Sequence, residues 1–152
     1  MYLEYAKIRE NSIDPDRANP SDAGMDVFYC PNDHTGSLAW NPGDSRKVPT
    51  GLRFGVPHGY MLEVKNRSSV ASKQNLVVGA CVVDPGYDGE LYIDLHNIGN
   101  KTEFINAGDK IAQVVLIPVV HFRAVENEKG NLYKKQIAIS KRGSGGFGST
   151  DG

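Results

Sequence analysis

The stretch Val77-Val78-Gly79-Ala80-Cys81-Val82-Val83-Asp84-Pro85-Gly86-Tyr87-Asp88-Gly89-Glu90-Leu91-Tyr92-Ile93-Asp94-Leu95 decides the fold class. From Leu91 onward apolar and polar residues alternate. Leu91, Ile93 and Leu95 share one face, and Tyr92, Asp94 and His96 share the other, which is the period of a half-buried strand. Val77 to Val83 is nearly continuous in apolar residues, as a strand covered on both faces is. Asp84-Pro85-Gly86-Tyr87-Asp88-Gly89 lies between them and reads as a hairpin turn. Outward from this hairpin the same pattern recurs. Leu52 to Val56 and Tyr60 to Val64 are short strand-like runs joined by Pro57-His58-Gly59. Ile111 to Val120 is a further buried strand, broken or ended at Pro118. Helical signal is confined to Ser68 through Gln74, with Ser68 as the expected N-cap. The fold class is therefore all-β, and regular strand spacing points to a jelly roll, sandwich or barrel.

Composition agrees. The chain has 152 residues, enough for one domain with a real core. Seventeen glycines and 8 prolines exceed the usual ~12% and imply many turns. With 17 basic and 18 acidic residues the formal net charge is −1, which argues against binding bulk nucleic acid or an anionic membrane. No apolar run approaches the ~20 residues of a spanning helix. Met1 through Lys7 lacks the basic-then-apolar layout of a signal peptide. Cys30 and Cys81 are far apart and read as free thiols in a reducing compartment. A cytoplasmic location is expected.

The end of the chain differs in kind. A β domain is expected over residues 1–139 and a mobile tail over 140–152, where the glycines forbid a core. Arg142 and Phe147 place a charge and a stacking surface on that segment. Gly143 to Gly148 formally satisfies G-x-G-x-x-G, but the match opens no helix and is spurious. The four histidines show no ligand spacing.

Five short segments carry chemistry. They are Ser21-Asp22-Ala23-Gly24-Met25-Asp26; Asn66-Arg67-Ser68-Ser69; Gly79 through Glu90; Gly108-Asp109-Lys110-Ile111-Ala112-Gln113; and Arg142 through Thr150. Arg67 and Arg142 can each hold phosphate oxygens bidentately. Ser68 and Ser69 open the one candidate helix, where free N–H groups attract anions. Gln113 adds a neutral donor. Asp26 and Asp84 offer carboxylates for a hydrated Mg²⁺ and for activating water. Phe147 can stack on a base. Taken singly, each has a plainer reading: Asp84 as a turn former, Tyr87 as a turn anchor, Asp26 in an Asx-turn, Arg67 on a strand surface.

In this order and spacing the five segments resemble the motifs of the homotrimeric dUTPases, from about residue 20 to the C-terminus. The resemblance implies a jelly-roll-like (β-clip) subunit, three of which share active sites at their interfaces. It implies hydrolysis of dUTP to dUMP and pyrophosphate, which limits uracil in DNA and supplies dUMP for dTMP synthesis. Asp84 would be the catalytic carboxylate, and Asp26 would reach Mg²⁺ through water. Arg67, Ser68, Ser69, Gln113 and Arg142 would hold the phosphates. The hairpin, through Cys81, Val82, Val83 and Tyr92, would read uracil by its backbone, with Tyr87 flat against the sugar. Phe147, Gly148 and Ser149 would close over the base. Cys81, Tyr92 and Val78 depart from common family residues, so base recognition must rest on backbone. The dCTP deaminases resemble the same hairpin, and Asp94 falls near the place of their catalytic glutamate. Ser72 stands where they carry an essential arginine, and they lack the Gly-Phe-Gly tail. A nucleotide-binding regulatory module is the non-enzymatic alternative.

Overall fold

A computed structural model describes residues 1–33, 36–133, 143–145 and 147. Among them the elements are β1 (Glu4–Lys7), β2 (Met25–Phe28), β3 (Ser37–Trp40), β4 (Ser45–Pro49), β5 (Leu52–Gly55), β6 (Tyr60–Lys65), α1 (Ser68–Gln74), β7 (Leu76–Val78), β8 (Val82–Val83), β9 (Tyr92–Asn97), β10 (Glu103–Asn106) and β11 (Lys110–Pro118). The all-β reading holds. Four antiparallel sheets form, with strand orders β2-β11-β6-β8, β4-β9-β7, β1-β5 and β10-β3.

The alternation around Leu91 is realised as expected. Leu91, Ile93 and Leu95 are buried, whereas Tyr92 is exposed. They join Val27, Trp40, Leu52, Leu62, Leu76, Ile105 and Ile111 in one core. Each such side chain contributes about 1.5–3 kcal/mol on full burial. Trp40 also donates its indole N–H to the Leu95 carbonyl at 3.2 Å, so its polar edge is satisfied inside the core. β11 runs to Pro118 and stops there, because proline has no N–H for the ladder.

Two local expectations are corrected and one turn is met. Val77 to Val83 is not one strand. β7 pairs with β9, and β8 pairs with β6 in another sheet, with Gly79-Ala80-Cys81 crossing between them. The turn at Pro57-His58-Gly59 forms, with the Tyr60 N–H bonded to the Pro57 carbonyl. The strands it joins do not pair with each other: β5 takes β1 and β6 takes β11. Ser68 is the first helical residue and not the cap. Arg67 occupies the cap with extended backbone, and no side chain bonds the first-turn N–H groups.

The chain divides into two units, Met1–His121 and Phe122–Gly152. Among the described residues, all the strands lie in the first. In the second, Asn127 closes a turn by accepting from the Gly130 N–H and donating to the Asn131 carbonyl. Its Phe122, Val125, Leu132 and Tyr133 side chains are exposed. The expected boundary between residues 139 and 140 lies outside the described residues. No helix among the described residues is long and apolar enough to cross a membrane.

Candidate functional site

The hairpin opens where its two arms part. The Gly79 N–H still bonds to the Asp94 carbonyl at 2.8 Å, but the Cys81 carbonyl accepts from the Val64 N–H at 2.7 Å, on β6. This divergence leaves a cleft of about 340 Å³, lined by Ala80 through Asp84, Tyr87, Glu90 through Tyr92, Asp94, Val64 and Lys47. The hairpin residues expected to bind substrate line it: Cys81, Val82, Val83, Tyr87 and Tyr92. Asp84 stands on the rim. Its side chain is exposed and has no partner among the described residues, while its carbonyl accepts from the Tyr87 N–H to close the turn. The turn-anchor reading of Tyr87 is met. Its hydroxyl donates to the Glu90 carbonyl at 2.8 Å, which anchors the loop, and its half-exposed ring faces the cleft.

A second, separate groove of about 190 Å³ is lined by Ala18, Asp22, Gly24, Asp26, Arg67, Ser68 and Gln113. The register of β11 explains it. Gln113 faces Asp26 of β2 on one side and Lys65 of β6 on the other, so three distant segments meet across neighbouring strands of one sheet. Asp26 is not a free carboxylate. Its Oδ1 accepts from Arg67 Nε at 2.8 Å, and Lys110 Nζ lies 2.8 Å from its Oδ2. The Asp26 carboxylate in turn holds the Lys110 ammonium above its ordinary range. With Nε so occupied, Arg67 keeps both terminal nitrogens for an anion. Gln113 donates to the Asn66 carbonyl at 2.9 Å, and Asn66 Oδ1 accepts from the Val78 N–H at 2.7 Å. Ser69 sits in the first turn of α1, exposed and outside the groove lining.

Gly24 is fixed by close approach. A Cβ there would strike the Gln113 side chain. Gly24→Ala is expected to displace the Gln113 amide and weaken nucleotide binding about tenfold, the worth of one good hydrogen bond. Titration calorimetry with a non-hydrolysable analogue of the nucleotide that the motif resemblance implies reads this directly.

Beneath the base cleft lies an ion pair that sequence reasoning misses. The Arg9 guanidinium makes two hydrogen bonds to the Glu90 carboxylate and donates a third to the Cys30 carbonyl. Glu90 also accepts from the Gly51 N–H at 2.8 Å. Burial pushes the Glu90 carboxyl up, but Arg9 and the Gly51 amide outweigh it, and the group sits below its usual range. The Tyr92 phenol is pushed up by its hydrogen bond to Glu90. Glu90 belongs to the hairpin motif, but nothing in the sequence marks Arg9 as its partner.

Phe147 lies in the second unit, with its ring exposed and its backbone at φ 48°. Arg142, Gly148 and Ser149 lie outside the described residues. Among the described residues no three His, Cys, Asp or Glu side chains form a metal cage.

A model of the dUTPase family matches residues 10–151. A deoxyuridine 5'-triphosphate nucleotidohydrolase of Chlamydia trachomatis serovar L2 is 33% identical over 148 residues, covering 96% of each chain. One from Solibacter usitatus is 39% identical over 154 residues, covering 99% of this chain and 96% of its own. The solved structure of a Staphylococcus bacteriophage 80alpha dUTPase mutant with dUpNHpp superposes with a TM-score of 0.80 at 24% identity, covering 98% of each chain. By family match, by identity across nearly its whole length and by fold, the chain belongs to the dUTPase family.

Proposed function

We propose that the chain hydrolyses dUTP to dUMP and pyrophosphate, with Asp84 as general base. The observation that carries the reading is the unpartnered Asp84 carboxylate on the rim of a cleft walled by strand backbone. Uracil presents one N–H between two carbonyls. The Cys81 N–H has no partner among the described residues and suits a base carbonyl. Cys81 itself packs against the core, which keeps its thiol off the base face. Cytosine's different donor pattern leaves buried groups unpaired, a source of large discrimination. Tyr87 is assigned to the sugar, and Phe147, Gly148 and Ser149 are the residues we assign to covering the base.

Arg67, Ser68, Ser69, Gln113 and Arg142 hold the triphosphate. Asp84 takes a proton as water attacks the α-phosphorus, and the bond to the bridging oxygen breaks to release pyrophosphate. The residues present suit a Mg²⁺ that arrives with its own phosphate and water ligands, since Asp26 is already held by two cations. Such an ion would supply charge neutralisation on the phosphate oxygens, and Asp26 is the residue of this groove that would help to hold it. The base cleft and the phosphate groove share no lining residue. That separation supports a site completed by a second copy, in a homotrimer. The exposed apolar side chains from Phe122 to Tyr133 give such an assembly surface to bury.

A panel of nucleoside triphosphates tests the reading. Pyrophosphate is expected from dUTP, with dCTP, dTTP and UTP far slower. Ammonia released from dCTP would select a deaminase, and binding without turnover a regulatory module.

A further inference from the structure

At the base cleft, Gly79 to Cys81 lies between β7 and β8, where the chain crosses from one sheet to another, and its N–H groups need other partners. Asp94 supplies two. Its carbonyl accepts from the Gly79 N–H at 2.8 Å, and its Oδ2 accepts from the Ala80 N–H at 3.0 Å. His96 Nε2 lies 3.0 Å from the same Oδ2. Against a carboxylate that ring nitrogen acts as the donor. The wall lies flat on this pair, because a Cβ at Gly79 would collide with both His96 Nε2 and Asp94 Oδ2. On the far side the Cys81 carbonyl is tied to Val64. The Cys81 N–H therefore sits in a peptide whose neighbours are fixed on both sides, presented to the base without an ordering penalty.

We propose that Asp94, backed by His96, is a positioning residue that sets base specificity by holding the Gly79–Cys81 wall through the Ala80 amide. The proposal rests on the dUTP reading of the same cleft. A carboxylate suits the place because an apolar residue at position 94 would orphan the Ala80 N–H beside a desolvated base. The cross-strand partner of Asp94 is Lys47, which also lines the cleft. The Ala80 amide, with His96 behind it, draws the Asp94 carboxyl below its usual range. A loosened wall recedes from the base edge, so it binds uracil less well and excludes thymine's methyl and cytosine's amine less sharply.

The test compares wild type, D94L and D94N in steady-state hydrolysis of dUTP, dTTP and dCTP, with melting temperature recorded. D94L is expected to raise KM for dUTP about tenfold, with a smaller fall in kcat. Its preference for dUTP over the other two, as a ratio of kcat/KM, should fall by a similar factor. D94N keeps an acceptor for the Ala80 N–H and is expected to recover most of both losses. If D94L does not fold, H96L serves, and about a threefold fall in the same ratio is expected. An unchanged ratio in a folded D94L or H96L overturns the positioning role, whatever happens to stability. Absence of dUTP hydrolysis in the wild type overturns the substrate reading beneath it, and this inference with it.

Discussion

Asp84→Asn is expected to lower kcat for dUTP about 10³-fold, within the usual reach of a general base. Affinity for a non-hydrolysable dUTP analogue should stay within about twofold or tighten slightly, because a negative charge near the phosphates is removed. The melting temperature should not move, since the exposed Asp84 side chain bonds no described residue. Stopped single-turnover assays and calorimetry on the same preparation separate the two quantities. Parallel loss of turnover and affinity would return Asp84 to the role of a turn former.

The second large effect concerns stability. Glu90→Ala leaves the half-buried Arg9 guanidinium without its anion, and Arg9 Nε already has no partner among the described residues. Losing the charged partner of such a partly buried pair costs about 2 kcal/mol, a fall in melting temperature of roughly 4–8 °C for a domain of this size. Glu90→Gln still accepts from the Gly51 amide and should lose less. The pH dependence has a definite sign. The Glu90 carboxyl lies lower in the folded chain than in the unfolded one, so its contribution is complete above the unfolded value, near pH 4.3. It fades as pH falls through the lower folded value. The stability gap between wild type and Glu90→Gln should therefore be flat from pH 7 to 5 and close below pH 4. A gap that widens in acid would show that the pair is not ionised as described.

What could be read from the chain beforehand depends on the range of each interaction. Leu91, Ile93 and Leu95 place β9 without help, because alternation is local and one face is buried. Val77 to Val83 misleads for the complementary reason. An unbroken apolar run carries no phase, so nothing marks Gly79 as the point where the chain changes sheets. The cap of α1 fails as an expectation because Arg67 is held in extended backbone while its side chain binds Asp26, a tertiary contact that overrides local capping preference. The cleft at the Gly79–Tyr92 hairpin is legible because most of its residues are nearly consecutive. The groove between Asp26, Arg67 and Gln113 becomes legible only when separated segments are taken together as a family pattern. Arg9 is invisible, since its partner lies 81 positions away and no periodicity links them.

The threading of β11 between β2 and β6 bears on how the molecule comes into being. β2, near the start of the chain, has no ladder partner until residues 110–118 exist, so the central sheet cannot close during most of synthesis. Pairings of such long sequence separation dominate, and they place the chain among slow folders, on the millisecond-to-second scale. Until the last strand arrives, the nascent β6 edge stays open to wrong partners, and a ribosome-associated chaperone has something to cover.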